Sequence, residues 1–380
     1  MKLSDFQIFS LRIPFKLKFS HSLATRSVSE SVLLALADTQ GRQGYGEGTP
    51  RPYVTGETIG GTMRVLQEIL PDLSTEQMES VQDIDRLLSA YPALDTAPSA
   101  RCALELALLD MLGQNMRRPV LQLLGTPQTE AIYYSAVISS ETPEAVAKIA
   151  KQVAAIHVRQ VKLKVGANRE ANRANIGVLR EILGDSVDIR ADANASWTPD
   201  DAVAHINDLV ELGVFYVEQP LPAGDRNVWQ TLQQRLPAAA KVYVDESICT
   251  LDDARWLAEH RAVSGFNLKI SKHGGILPSL EIHRVAREHG LFCQLGCHVG
   301  ETSILSAAGR ILAALAGDLR ACEGSYGLLL LEQDLTPAPM QFGYQGMGPV
   351  TDILKHPGLG IQVDLAPVDA CLGRMPYSGE

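Results

Sequence analysis

The sequence predicts an α/β fold, a parallel (β/α)8 barrel with an α+β piece in front of it. Three observations carry this. From about residue 131 to about residue 330, short strand-like runs alternate with stretches that are apolar at helical spacing. A polar residue falls near the end of each of the last seven runs: Lys164, Asp192, Glu218, Asp245, Lys269, His298 and Glu323. Their intervals are 28, 26, 27, 24, 29 and 25 residues, and one βα unit of such a barrel takes about 30 residues. The first 130 residues and the tail after about residue 340 lack that rhythm.

In chain order, "QIFSLRIPF", "ESVLLALAD" and "QGYGEGTP" read as strands joined by turns, with Gly41, Gly44 and Gly46 as the punctuation. "SARCALELALLDMLGQ" reads as an amphipathic helix, with Ala103, Leu104, Ala107, Leu108, Met111 and Leu112 on one side. The barrel runs are "AIYYSAVIS", "VRQVKLKVG", "VDIRADAN", "VFYVEQPL", "KVYVDES", "GFNLKIS", "LFCQLGCHVG" and "LRACEGS". Stretches such as "PEAVAKIAKQVAAI" and "DDAVAHINDLVELG" are the helices between them. The Gly- and Pro-rich tail is expected to fold back on the N-terminal piece. The division predicted is 1–130 capping, 131–340 barrel and 341–380 tail.

Composition bounds the partners. Of 380 residues 46% are hydrophobic and 21% charged, with a net charge of −10 and no basic run. This argues against nucleic acid and anionic membrane as partners. No apolar run approaches the roughly 20 residues of a spanning helix, and "MKLSDFQIFSLRIPFK" lacks the features of a signal peptide. The six cysteines, with no CxxC pair, read as free thiols in a reducing, cytoplasmic setting.

Strand-end polar groups converge at the mouth of a barrel, where its active sites are built. Asp192, Glu218 and Asp245 come from three successive runs. Three carboxylates aimed at one point repel unless a cation lies between them, and hard oxygen donors suit Mg2+ or Mn2+. In "VDES" either Asp245 or Glu246 can be the ligand; by strand alternation Asp245 shares a face with Ser247, and Glu246 points away. Asn194 faces the same way as Asp192 and is expected beside the metal or the substrate.

Lys164 precedes the acids and Lys269 follows them, so the two flank the site from opposite sides. Lys162, two before Lys164 on the same strand face, is expected to lower the pKa of Lys164 and to hold substrate charge. A lysine so tuned acts as a general base near neutral pH. The set suggests one reaction class. A small carboxylate substrate binds the metal, a lysine removes the proton α to it, and the metal stabilises the enediolate. The opposite lysine then returns a proton or expels a leaving group.

At these residues the chain resembles the enolase superfamily, in its muconate lactonizing enzyme subgroup (the mandelate racemase/muconate lactonizing enzyme family). The matching pieces are "KLK" at 162–164, "DANASW" at 192–197, "EQP" at 218–220, "DES" at 245–247 and "NLKISKHGG" at 267–275. Each alone is weak; together, in order and at βα spacing, they are specific. The resemblance implies a (β/α)7β modified TIM barrel with an α+β capping domain, Mg2+ at Asp192, Glu218 and Asp245, and Lys164 and Lys269 as the acid/base pair. It implies a homo-oligomer, by analogy alone. His298 lacks the Asp partner that mandelate racemase relatives carry, and is read as a substrate-pocket residue. Glu323 matches the position of a carboxylate that assists at the substrate carboxylate. Specificity is expected from the capping segments 19–27 and 48–58, through His21, Arg26, Arg51 and Tyr53, with arginine suited to an anionic group. Dipeptide epimerases of the subgroup carry Asp-x-Asp on the last strand; "CEGSYG" at 322–327 departs from it and weighs against that activity.

The expectation is a Mg2+-dependent isomerase or lyase, leaning to cycloisomerase chemistry. An amino-acid racemase or epimerase and an o-succinylbenzoate synthase-type dehydratase are the alternatives. From other classes, a Schiff-base aldolase using Lys269 and a non-catalytic barrel stand as rivals.

Overall fold

A computed structural model describes residues 1–21, 24–73, 76–138 and 142–374; the side chains of residues 17–21, 24–26 and 374 lie outside that description. The chain begins with β1 (Leu3–His21), β2 (Ala24–Asp38) and β3 (Gln43–Gly48), followed by α1 (Ile59–Leu73), α2 (Val81–Ser89), α3 (Pro98–Met116) and α4 (Val120–Leu124). The three strands form an antiparallel meander in the order β1-β2-β3.

Gly41, at φ +77°, is a turn residue as expected. Gly44 and Gly46 are not turns: they lie inside β3, and with Gly48 they occupy every second position of it. A Cβ on Gly44, Gly46 or Gly48 would overlap the backbone carbonyl oxygen of Ala107, Ala103 or Ser99 respectively. Those three are spaced four apart on α3, so a bare strand face lies directly on one ridge of the helix. α3 is also more than amphipathic. It is buried from Ser99 to Gly113 almost without a break, because β3 covers one side and the barrel element around residues 270–273 covers the other.

The second half alternates strand and helix: β4 (Ala131–Tyr133), β5 (Ala136–Ile138), α5 (Pro143–Ala155), β6 (Gln160–Lys164), α6 (Arg169–Leu183), β7 (Asp188–Asp192) and α7 (Pro199–Glu211). Then come β8 (Tyr216–Glu218), α8 (Asn227–Arg235), β9 (Lys241–Val244), α9 (Leu251–Glu259), β10 (Gly265–Leu268), α10 (Ile270–His273) and α11 (Ile276–Glu288). β11 (Phe292–Leu295), α12 (Ser303–Ala316), α13 (Gly327–Leu330), β12 (Met347–Pro349) and β13 (Leu372–Arg374) complete the chain.

β5 to β11 form one parallel sheet in sequence order. The eighth run supplies a closing residue: Cys322 bridges Leu295 of β11 on one side and Tyr134 beside β5 on the other. Side chains of Thr142, Asn168, Thr198 and Thr250 each accept from a backbone N–H of the helix they precede, so these strand-to-helix loops end on a cap. After Glu323 the chain leaves the barrel through Gly324, at φ +135°. The four residues of α13 and an irregular tract up to β12 stand where an eighth helix would cover the wall. β12 pairs with β4 and β13 pairs with β1, both antiparallel, so the tail touches both halves of the molecule. Among the described residues no helix is long and apolar enough to cross a membrane.

Candidate active site

Parallel pairing lines up the strand ends. Lys164 of β6 lies opposite Asp192 of β7, and Asp192 lies opposite Glu218 of β8. Asp245 follows β9 directly, and Lys269 follows β10. The three acid-bearing strands therefore lie between the two lysine-bearing ones. Gln219, buried and at φ +38°, ties neighbouring ends together. Its Oε1 accepts from the N–H of Asp245 at 2.8 Å and of Ser247 at 3.2 Å.

Lys164 Nζ donates to Asp192 Oδ2 at 2.7 Å and to Asn194 Oδ1 at 2.6 Å. Asn194 in turn donates its backbone N–H to Asp192 Oδ1 at 3.0 Å, so this residue positions both. Lys269 Nζ donates to Asp245 Oδ2 at 2.5 Å. Burial pulls the pKa of Lys269 down, but Asp245, Glu246 and Glu218 more than offset it and raise it. Burial pushes Asp192 up, yet Lys164 and Lys162 hold its carboxyl at about 2.

Lys162 departs from its expected part. Its ammonium is buried among three acids: Glu323 Oε2 at 2.7 Å, Glu218 Oε2 at 3.1 Å and Asp192 Oδ2 at 3.3 Å. Desolvation lowers its pKa, and these acids raise it well above the usual lysine range. Its ammonium is thus paired with carboxylates of three strand ends. Glu218 sits below the rim, where Tyr243 and Gln294 donate to its Oε2 at 3.0 and 3.1 Å, and Asn267 to its Oε1 at 2.5 Å. Glu323 also accepts from the buried Arg190 at 3.1 Å.

A cavity of about 580 Å³ opens over this cluster. Lys162, Lys164, Asp192, Asn194, Asp245, Glu246, Lys269, His298, Glu323 and Tyr53 all line it. Glu246 thus reaches the same space as Asp245, although strand alternation pointed it away; β9 ends at Val244, so alternation no longer governs it. Its Oε2 is buried without a hydrogen-bond partner, and burial together with Asp245 pushes its pKa up to about 7. His298 Nδ1 meets Thr49 Oγ1 at 2.8 Å, while its Nε2 is buried without a partner. Burial, then Lys269 and Arg51, hold the imidazole pKa far down, so it is neutral.

Arg51 is corrected. It is buried, and its guanidinium donates to the carbonyl oxygens of Glu30 at 3.0 Å, Pro50 at 2.9 Å and Val299 at 3.0 Å. It ties the cap to the loop after β11, and it is not among the described residues that line the cavity. The side chains of His21 and Arg26 lie outside the described residues. Sequence reasoning missed Lys272, which is fully buried and donates to Asp245 Oδ1 at 2.7 Å.

Among the described residues no three acid, histidine or cysteine side chains stand as a ready-made cage for a cation. The acids at the strand ends are turned onto ammonium groups instead. Their chemistry still fits a hard divalent ion. The donors are all oxygen, they come from adjacent strand ends, and a buried carboxylate oxygen of Glu246 beside them lacks any partner.

Comparison with known proteins agrees with this fold. Residues 5–125 match the mandelate racemase / muconate lactonizing enzyme, N-terminal domain, and residues 144–367 match the enolase C-terminal domain-like family. The chain is 29% identical over 367 residues to a hydrophobic dipeptide epimerase of Enterococcus faecalis, covering 95% of this chain and 99% of that one. The crystal structure of N-succinyl Arg/Lys racemase from Bacillus cereus superposes with a TM-score of 0.88 at 25% identity, covering 99% and 100% of the two chains. That of the dipeptide epimerase from E. faecalis, complexed with Mg and the dipeptide L-Leu-L-Tyr, gives 0.85 at 26% identity, covering 95% and 100%. The chain belongs to the mandelate racemase/muconate lactonizing enzyme family of the enolase superfamily.

Proposed function

We propose that this protein is a racemase or epimerase that inverts the α carbon of an amino-acid carboxylate or its N-substituted derivative, by proton transfer between Lys164 and Lys269. The relatives are named as epimerases and racemases, and they favour this reading over the cycloisomerase chemistry expected from the sequence. They also include dipeptide epimerases, so the departure from Asp-x-Asp at 322–327 is no argument against epimerase chemistry as such.

One observation carries the proposal: two lysines line one cavity from opposite sides of three acid-bearing strand ends. A proton removed by Nζ of one lysine and returned by Nζ of the other reaches the opposite face of the α carbon, which inverts it. Asp192, Glu218 and Asp245 are the residues that would hold Mg2+, with Glu246 adjacent. Bound there, the ion supplies positive charge for the substrate carboxylate as its α carbon loses the proton. Asn194 and Asp192 aim Lys164, and Asp245 aims Lys269. His298 presents a neutral ring nitrogen to the substrate. A Schiff-base aldolase would have no use for the acids or the second lysine.

The test is incubation of the Mg2+-loaded protein with single antipodes of N-acyl amino acids and dipeptides in D2O. Wild type interconverts the antipodes and places deuterium at the α carbon. Lys164→Ala and Lys269→Ala each lose interconversion by about 10²- to 10⁴-fold. Each keeps α-proton exchange for one antipode only, opposite in the two variants, and EDTA abolishes all of it. Variants that interconvert as fast as wild type would show the two-lysine assignment to be wrong.

A further inference from the structure

A full barrel covers its last strand with an eighth helix. Here the four-residue α13 and an irregular tract follow the last strand instead, and residues of that tract and of α5 line one cavity. Besides the strand-end polar groups it is lined by Ile149 and Val153 of α5 and by Ile156 at the C-terminal cap of that helix. Leu329, Leu330 and Phe342 line it from the tract. The first three are spaced four and three apart and so share one helix face. Phe342 is fixed by stacking on Tyr134 at 5.5 Å and by an edge contact to Tyr326 at 5.9 Å. The outer end is not sealed, since Ile156 is 39% and Leu329 63% exposed. The described acids of the cavity lie at its strand-end floor, where Asp192, Asp245 and Glu323 are ion-paired and Glu246 adjoins Asp245.

We propose that this apolar slot between α5 and the 327–342 tract is a second compartment of the active site. It takes an uncharged hydrocarbon group carried by the reacting amino-acid carboxylate and lets that group extend outward past Ile156 and Leu329. The inference rests on the racemase or epimerase reading and names its substrate class: amino acids with a long apolar side chain, or with a neutral apolar acyl group on nitrogen. Both put the same chemistry into the slot. A charged terminus, ammonium or carboxylate, meets no described charged side chain there, only the amide of Gln152 on α5, and is disfavoured.

Two substrate series decide it, with the Mg2+-loaded full chain. One lengthens the side chain of N-acetyl amino acids from alanine to 2-aminooctanoate. The other lengthens the acyl group of N-acylalanines from acetyl to octanoyl. Each methylene entering the slot raises kcat/KM about fourfold, with no cut-off at the long end because the slot is open. The series that climbs identifies which group enters, and an ω-carboxylate on the same chain loses the gain. Ile156→Glu and Leu329→Asp, both at partly exposed positions, flatten the climb. Binding isotherms of the same compounds separate the two claims. Affinity that climbs with chain length in wild type but not in the variants, with no turnover anywhere, keeps the slot and rejects the racemase reading. Flat profiles in both series, or variants that climb like wild type, overturn the slot.

Discussion

At the scale of single residues, two lysines one helical turn apart are given opposite tasks. Lys269 Nζ donates to Asp245 Oδ2 and faces the cavity. Lys272 has three acceptors: Asp245 Oδ1 at 2.7 Å, the carbonyl oxygen of Asp245 at 2.7 Å and that of Asn267 at 2.9 Å. An ammonium has three hydrogens, so each hydrogen of Lys272 has an acceptor and the side chain is held in place. Its work is to fix the direction of Asp245. Such outer partners of a metal-binding group typically contribute 10- to 100-fold to metal affinity. Lys272→Met, which keeps most of the volume and removes the donors, is expected to raise the Kd for Mg2+ about 10- to 100-fold by calorimetric titration. An unchanged Kd would mean that Asp245 does not need the lysine, or does not hold the ion.

At the scale of elements, the contact between β3 and α3 depends on what is missing. Gly46→Ala forces a Cβ into the carbonyl of Ala103, which is backbone and cannot swing away. Overpacking of this kind costs about 1–3 kcal/mol, and here the upper end is expected, read as a lower denaturation midpoint. Gly60→Ala, on α1 with nothing within 4 Å of the added carbon, is the control with the opposite sign, a gain of about 0.5–1 kcal/mol. A shared sign would refute the ladder. The strand-end charges were legible in the sequence because each stands out at the end of an apolar run, and their spacing repeats. The glycines of β3 were legible as glycines but not as a packing face, since what a Cβ would strike belongs to a helix some 55 residues on. Arg51 reads as a pocket charge for the same reason: carbonyl partners at Pro50, Glu30 and Val299 hold it, and only folding brings the last two to it. Lys272 lies only three residues after Lys269 in "NLKISKHGG", and its burial beneath Asp245 depends on where the short α10 turns after β10. The slot beside α5 was hidden because it is an absence, the helix that the eighth strand lacks.

At the scale of the molecule, cap and barrel are joined by buried acids that meet helix N-termini across the boundary. Glu47 of β3 accepts from Thr302, through its N–H at 3.2 Å and its hydroxyl at 2.7 Å, at the start of α12. Glu105 of α3 accepts from the N–H groups of Ile276 at 2.5 Å and Leu277 at 3.1 Å, at the start of α11. A helix N-terminus favours a carboxylate, but here burial is the larger effect. Desolvation pushes both carboxyls up to about 7. Asp334, which holds Ser303 at the same helix end, adds to the rise for Glu47, and Arg101 opposes it for Glu105. The other oxygen of each, Glu47 Oε1 and Glu105 Oε2, is buried without a partner. The sign follows from the direction of the shift. A carboxyl whose folded pKa lies above its unfolded one binds its proton more tightly in the folded protein. Its contribution is therefore complete below the ordinary carboxylate range and drains away as pH rises through about 7. Between pH 6 and pH 8.5 that is about 1 kcal/mol for each acid. Glu47→Gln with Glu105→Gln keeps an accepting oxygen at both helix ends and removes both titrations. The double variant is expected to lose clearly less unfolding free energy than wild type between those two pH values, measured by urea denaturation in parallel. Equal losses in the two proteins would place the pH sensitivity of the fold elsewhere than in this interface.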